Sequence, residues 1–160
     1  MASKAGLTLD NELSFPLYAA AKEMTRRYAP HLERLDLTYT QYLAMLALWQ
    51  HGQLTVSGLG ELMRLDSGTL TPLLKKLEAK GYVVRTRSLE DERRVSVALT
   101  EQGAKLKQAA AKAQASIQAE LDMDEEDAKL LRMTLNWLLG QLGETDPRGG
   151  GRLQAEGAGE

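Results

Sequence analysis

The 160 residues predict a mainly α-helical chain interrupted by one β-hairpin. Helix formers dominate: Ala, Leu, Lys and Glu are abundant, aromatic residues make up 5%, and Phe occurs once. Apolar residues recur every three or four positions through most of the chain, as helices that bury one face require. That period drops to two only around residues 82–99, where β-branched and polar residues alternate. With 43% hydrophobic and 26% charged residues, the length suits about one globular domain. There is no cysteine, which excludes disulfides, thiolate metal sites and cysteine catalysis.

Leu13, Leu17, Ala20, Ala21, Met24 and Tyr28 mark a first helix over about 11–28, capped by Asp10. Pro16 falls inside it and cannot donate to the carbonyl of Glu12, so a bend is expected there, with a short helical piece around 30–35 following. Thr38-Tyr39-Thr40-Gln41 matches a capping box, opening a helix that ends near His51-Gly52. Thr55 starts a shorter helix with Leu59, Leu62 and Met63. Asp66-Ser67-Gly68 punctuates the chain before another, carrying Leu70, Leu73, Leu74 and Leu77 and stopped by Gly81; either Asp66 or Thr71, with Pro72 behind it, can cap it. Two β-branched runs then flank the polar stretch Ser88–Arg93, the sole strand pair that the pattern predicts. An Ala-rich helix over about 101–121 follows, then a final helix over about 125–142 with Leu130, Leu131, Leu135, Leu138, Leu139 and Leu142 on a broad stripe. Asp124 caps it, and Glu125, Glu126 and Asp127 complement its positive end. The Gly-rich segment 144–160 reads as a disordered tail.

The net charge of −2 hides an uneven distribution. Residues 64–100 carry 8 basic and 5 acidic groups, whereas 118–160 carry 4 and 10. A basic middle beside an acidic end points to a local anionic partner. The start of the chain lacks a secretory pattern and no apolar run approaches the roughly 20 residues of a membrane span, so a cytoplasmic protein is expected. His31 and His51 are the only histidines and stand at no metal-ligand spacing; with no phosphate-binding glycine loop or paired carboxylates, no metal, cofactor or enzyme activity is implied.

Helix, turn, helix and hairpin in that order make a winged helix-turn-helix, whose second helix enters the DNA major groove. That helix offers Ser67, Thr69 and Thr71, whose short hydroxyls suit bases or phosphates, then Lys75 and Lys76, which suit phosphates. The hairpin carries Arg87, Asp91, Arg93 and Arg94, and arginines on a slim ribbon can reach the negative potential of the minor groove. Taken singly, such hydroxyls are ordinary caps, such lysines a solvated face and such a tip a charged turn. Their order along the chain favours DNA.

Residues 55–100 resemble the DNA-binding core of the MarR family of bacterial regulators, with Asp91, Arg93, Leu99 and Thr100 matching its D-x-R…LT wing signature. The segments LSFPLYAAAKEMTRRYAP (13–30), LTYTQYLAMLALW (37–49), LDSGTLTPLLKKLE (65–78) and EDERRVSVALTEQGA (90–104) resemble its organic hydroperoxide branch, the OhrR-type repressors. The resemblance implies a homodimer on a pseudo-palindromic operator, with dimerisation helices from 1–37 and 101–143 flanking a DNA-binding core over 38–100. It also implies that Arg93 enters the minor groove and that Asp91 orients it. OhrR-type repressors sense peroxides with a cysteine near the start of helix 1, bonded by two tyrosines. The tyrosines match Tyr28 and Tyr39, but the cysteine's place holds Ser14, which cannot become a sulfenic acid. An organic hydroperoxide is therefore an effector only with cysteine restored at position 14. Two accounts of Ser14 stay open: an introduced substitution that mimics the reduced, DNA-binding state, or a natural chain that has lost thiol sensing. Rival readings are a repressor answering a small aromatic ligand and a winged-helix protein-interaction module.

Overall fold

A computed structural model describes residues 6–91 and 93–143; the expected tail 144–160 and Glu92 of the hairpin lie outside the described residues. The chain divides into two compact units, Met1–Leu121 and Asp122–Glu160.

In the first unit, a 3-10 turn at Leu9–Asn11 precedes helix α1, Ser14–Glu33. This differs from the sequence reading at both ends. Asp10 lies within the 3-10 turn, and the Glu12 carboxylate instead accepts the free backbone N–H of Ser14 at 3.1 Å. Pro16 is the third residue of the helix, where its missing N–H has no intrahelical partner, so the reason for a bend disappears. The piece expected at 30–35 is instead the end of α1, which runs through Pro30. Asp36, at φ 52°, turns the chain toward the next helix.

Helix α2, Tyr39–His51, opens on the expected capping box: Thr38 Oγ1 accepts the Gln41 N–H at 3.3 Å and Gln41 Oε1 accepts the Thr38 N–H at 3.1 Å. Strand β1, Leu54–Thr55, was not predicted, since two residues are too few to show a period. Thr55 caps helix α3, Val56–Met63. The turn into helix α4, Ser67–Ala79, brings Leu65 over Gly60, whose added Cβ would lie 2.8 Å from the Leu65 carbonyl oxygen. Asp66, not Thr71, is the cap of α4, accepting the Thr69 N–H at 2.7 Å; Pro72 therefore lies inside the helix.

Strands β2, Val83–Arg87, and β3, Val95–Leu99, form the expected hairpin, with Val83 opposite Leu99 and Arg87 opposite Val95. β1 adds to the other side of β3, giving the order β1-β3-β2 and leaving β2 at an edge. Leu48, Leu59, Leu70, Leu74, Leu77 and Val97 are fully buried where α2, α3, α4 and the sheet meet. Thr100 caps helix α5, Glu101–Glu120, and Gly103 lets it approach so closely that a Cβ there would collide with the Tyr82 carbonyl oxygen. The Trp49 indole donates to the Gly103 carbonyl at 3.0 Å, fastening α2 to the start of α5.

The second unit is helix α6, Glu125–Leu142, with Asp124 capping the Asp127 N–H at 2.8 Å as expected. None of its residues is buried.

Candidate nucleic-acid interface

Helix α4 divides its residues by period. Leu70, Leu73, Leu74 and Leu77 face the core. Ser67, Thr71 and Lys75 follow one another at four-residue spacing on a second strip, beside Thr69 and Lys76. Of these Thr71 is half-buried and the others are exposed. The backbone N–H of Thr69 is taken by Asp66, but its hydroxyl and that of Ser67 are at the surface.

The hairpin tip is shaped by its own polar groups. Ser88 N–H donates to the Arg94 carbonyl at 2.8 Å and Arg94 N–H to the Asp91 carbonyl at 2.9 Å. Ser88 Oγ accepts the N–H groups of Glu90 and Asp91 at 3.2 and 3.3 Å. The Asp91 carboxylate accepts the backbone N–H of Arg93 at 3.0 Å, so its contact with that arginine runs through the main chain. Arg87, Arg93 and Arg94 are exposed. Among the described residues neither they nor Lys75 and Lys76 form an ion pair, whereas Arg85 is held by Glu78 and Lys80 by Asp36. Five cations on one helix face and one hairpin, without an ion pair among the described residues, can attract a polyanion.

Ser14 stands apart from this face. It is exposed, and its hydroxyl donates to Glu12 Oε1 at 2.7 Å, which with the Ser14 N–H holds the Glu12 carboxyl below the usual carboxylate range. Tyr28 and Tyr39 are brought together, with ring centroids 5.4 Å apart and an edge-on angle of 60°. Tyr42, which the sequence reading did not single out, completes the cluster at 5.4 Å from Tyr28 and 6.1 Å from Tyr39. Burial raises all three phenols above their ordinary pKa, so they remain neutral donors at physiological pH. Ser14 does not reach them within one chain. It lies fourteen positions from Tyr28 along α1, a rise of about 21 Å at 1.5 Å per residue.

A cavity of about 380 Å³ lies beside this cluster, between Thr25 and Ala29 of α1, Thr38 and Tyr39, and Lys80. Among the described residues no group of histidines and carboxylates could hold a metal, and no helix is long and apolar enough to cross a membrane.

The chain is similar to known proteins over most of its length. Residues 26–110 match the family described as transcriptional regulator SarA/Rot. The organic hydroperoxide resistance transcriptional regulator of Bacillus subtilis strain 168 is 48% identical over 136 residues, covering 85% of this chain and 92% of that protein. The HTH-type transcriptional regulator SarZ of Staphylococcus saprophyticus is 44% identical over 128 residues, covering 80% of this chain and 88% of that one. In three dimensions it resembles reduced AbfR bound to DNA, with a TM-score of 0.72 and 32% identity over 84% of this chain and 93% of that one.

Proposed function

The chain belongs to the MarR family of transcriptional regulators, with SarA/Rot-type and organic hydroperoxide resistance regulators among its relatives, and on that footing we propose that it is a repressor that binds a pseudo-palindromic operator as a homodimer. One observation carries this reading: among the described residues, Lys75 and Lys76 of α4 and Arg87, Arg93 and Arg94 of the wing form no ion pair and are exposed in one lobe, as a duplex-binding surface needs. Ser67, Thr69 and Thr71 meet base edges or phosphates in the major groove, and Lys75 and Lys76 meet phosphates. Arg93 enters the minor groove, with Asp91 fixing its main chain and Arg87 and Arg94 on the flanking phosphates. Residues 1–37 and 101–143 supply the dimer contacts, through the exposed Leu9, Leu13 and Phe15 at one end and Leu130, Leu131 and Leu135 at the other. The role is cytoplasmic, needs no cofactor and involves no catalysis.

On this reading Ser14 stands at the sensing position, and because the length of α1 separates it from Tyr28 in one chain, Tyr28 and Tyr39 would serve Ser14 of a second copy. A serine there cannot take up peroxide oxygen, so the chain stays in its DNA-binding state. A gel shift on an inverted-repeat operator tests both halves of the proposal, using the Ser14 protein and Ser14→Cys, each with and without an organic hydroperoxide. Binding by both, with release of the cysteine form alone, is expected. Release of neither sinks the sensing assignment, and absence of operator binding sinks the whole reading. The cavity beside Tyr39 favours a second reading, in which a small aromatic compound is the effector. Release of the Ser14 protein by phenolic compounds would select it.

A further inference from the structure

The recognition helix and the wing are joined by a contact that neither the DNA-binding face nor the sensing position uses. Glu78, in the last turn of α4, reaches across the Lys80–Tyr82 turn to Arg85 in β2. Its Oε2 accepts from Arg85 Nη2 at 2.7 Å and from Nε at 2.9 Å, and its Oε1 accepts the Arg85 backbone N–H at 3.1 Å. Three bonds to one residue fix both the side chain and the strand, because the guanidinium holds Oε2 through two N–H groups while the main chain holds Oε1. The backbone bond is available because β2 is an edge strand, so the N–H of Arg85 has no neighbouring strand to meet on that side. Both partners are partly shielded, the side chains being 25% and 35% exposed.

We propose that Glu78 is a positioning residue for DNA recognition, clamping the wing at the angle to α4 that lets Arg93 and the α4 hydroxyls engage adjacent grooves at once. This rests on the DNA-binding reading above. From Arg85 onward, bonds among the described residues tie the wing together. The strand ladder with β3 runs to Arg87, and the Ser88, Asp91 and Arg94 bonds close the tip. On this proposal a displacement at Arg85 carries over to Arg93. The clamp also explains why Arg85 is excluded from the cationic face: its charge is spent on Glu78. The Arg85 bonds hold the Glu78 carboxyl below the usual carboxylate range, so the clamp stays charged at neutral pH.

The test is a double-mutant cycle on operator affinity, measured by fluorescence anisotropy with the full chain, Arg93→Ala, Glu78→Ala and the double variant. With Glu78 present, Arg93→Ala should weaken operator binding by about 5- to 150-fold. With Glu78→Ala the same change should cost less than about twofold, because the wing no longer delivers the arginine to the groove. Glu78→Gln keeps an acceptor for the Arg85 N–H and should fall between the two; it also carries the cycle if Glu78→Ala folds poorly. Affinity for a scrambled duplex, and its salt dependence, should be unchanged in the Glu78 variants, whereas simple loss of folded protein would lower both affinities together. An Arg93→Ala loss of the same size in every Glu78 background overturns the clamp and leaves the DNA-binding reading standing. No loss from Arg93→Ala in the unaltered chain overturns the clamp together with the wing's part in that reading.

Discussion

The winged lobe and helix α6 bury apolar surface on opposite terms. Between Thr38 and Thr100, Tyr42, Met45, Leu48, Leu59, Leu70, Leu74, Leu77 and Val97 are sealed from solvent by residues of the same chain. Along α6, Leu130 is 62% exposed, Trp137 63% and Leu142 64%, and no residue is buried. A contiguous apolar face of that kind is not stable in water on its own account. The lobe is thus finished by its own sequence, while α6 leaves its stripe open, the surface that the proposed homodimer would cover. The contrast separates two kinds of residue, those that fold the reader and those that count its copies, and it can be broken experimentally.

The largest effect should come from charge on the α6 stripe. Leu131→Asp with Leu135→Asp puts two carboxylates one turn apart on the face that must be desolvated. Sedimentation should then show a monomer, and operator affinity should drop toward the non-specific level, by about 10³-fold or more, because only one half-site can be held. Circular dichroism should show the lobe still folded. A variant that remains dimeric would break the comparison outright.

A smaller effect sharpens it. Leu74→Ala removes a fully buried side chain at the centre of the lobe and should cost about 2–5 kcal/mol in urea unfolding. That loss should not vary with protein concentration. Leu135→Ala should do the reverse, with an apparent cost that depends on concentration, since in the proposed homodimer the packing it removes is between copies. The two tryptophans report the regions separately. Trp49 is bonded to Gly103 and Trp137 stands on α6, so Trp137→Phe leaves fluorescence that follows the lobe alone.

What could be read before folding follows the same division. Helices α2, α3 and α6 announced themselves because Thr38, Thr55 and Asp124 cap them by rules that need only neighbouring residues. Helix α1 did not, since Pro30 argues locally for an end that the packing of Tyr28 and Leu32 overrides. Strand β1 exists only because β3 offers it a partner, a pairing between Leu54 and Val97 that no local period records. The polar residues named on α4 lie on its outer faces, as period alone could foresee, with Thr71 alone half-buried. By contrast Glu78 and Arg85 meet only through the Gly81 turn, and Tyr42 joins Tyr28 only once α1 and α2 are docked. Ser14, Tyr28 and Tyr39 were named together, yet one chain holds the first far from the others.

The tyrosine cluster gives the smallest effect and the cleanest sign. Burial holds Tyr28, Tyr39 and Tyr42 above the ordinary phenol value near 10, most strongly Tyr42, so the folded lobe keeps protons that the unfolded chain releases. Stability from this source is complete below about pH 10 and is lost as pH climbs through the raised values. Tyr42→Phe keeps the ring contacts but removes the hydroxyl from the cluster, and should cost at most about 1 kcal/mol at neutral pH. It should also make the alkaline fall in the urea midpoint shallower, because the most strongly raised phenol is gone. Helix α6 contains no tyrosine, so this alkaline loss should appear in the fluorescence of Trp49 in the Trp137→Phe background with no matching change in dimer dissociation. An alkaline limb as steep in Tyr42→Phe as in the unaltered chain would place the titrating groups elsewhere and remove the cluster from the lobe's account.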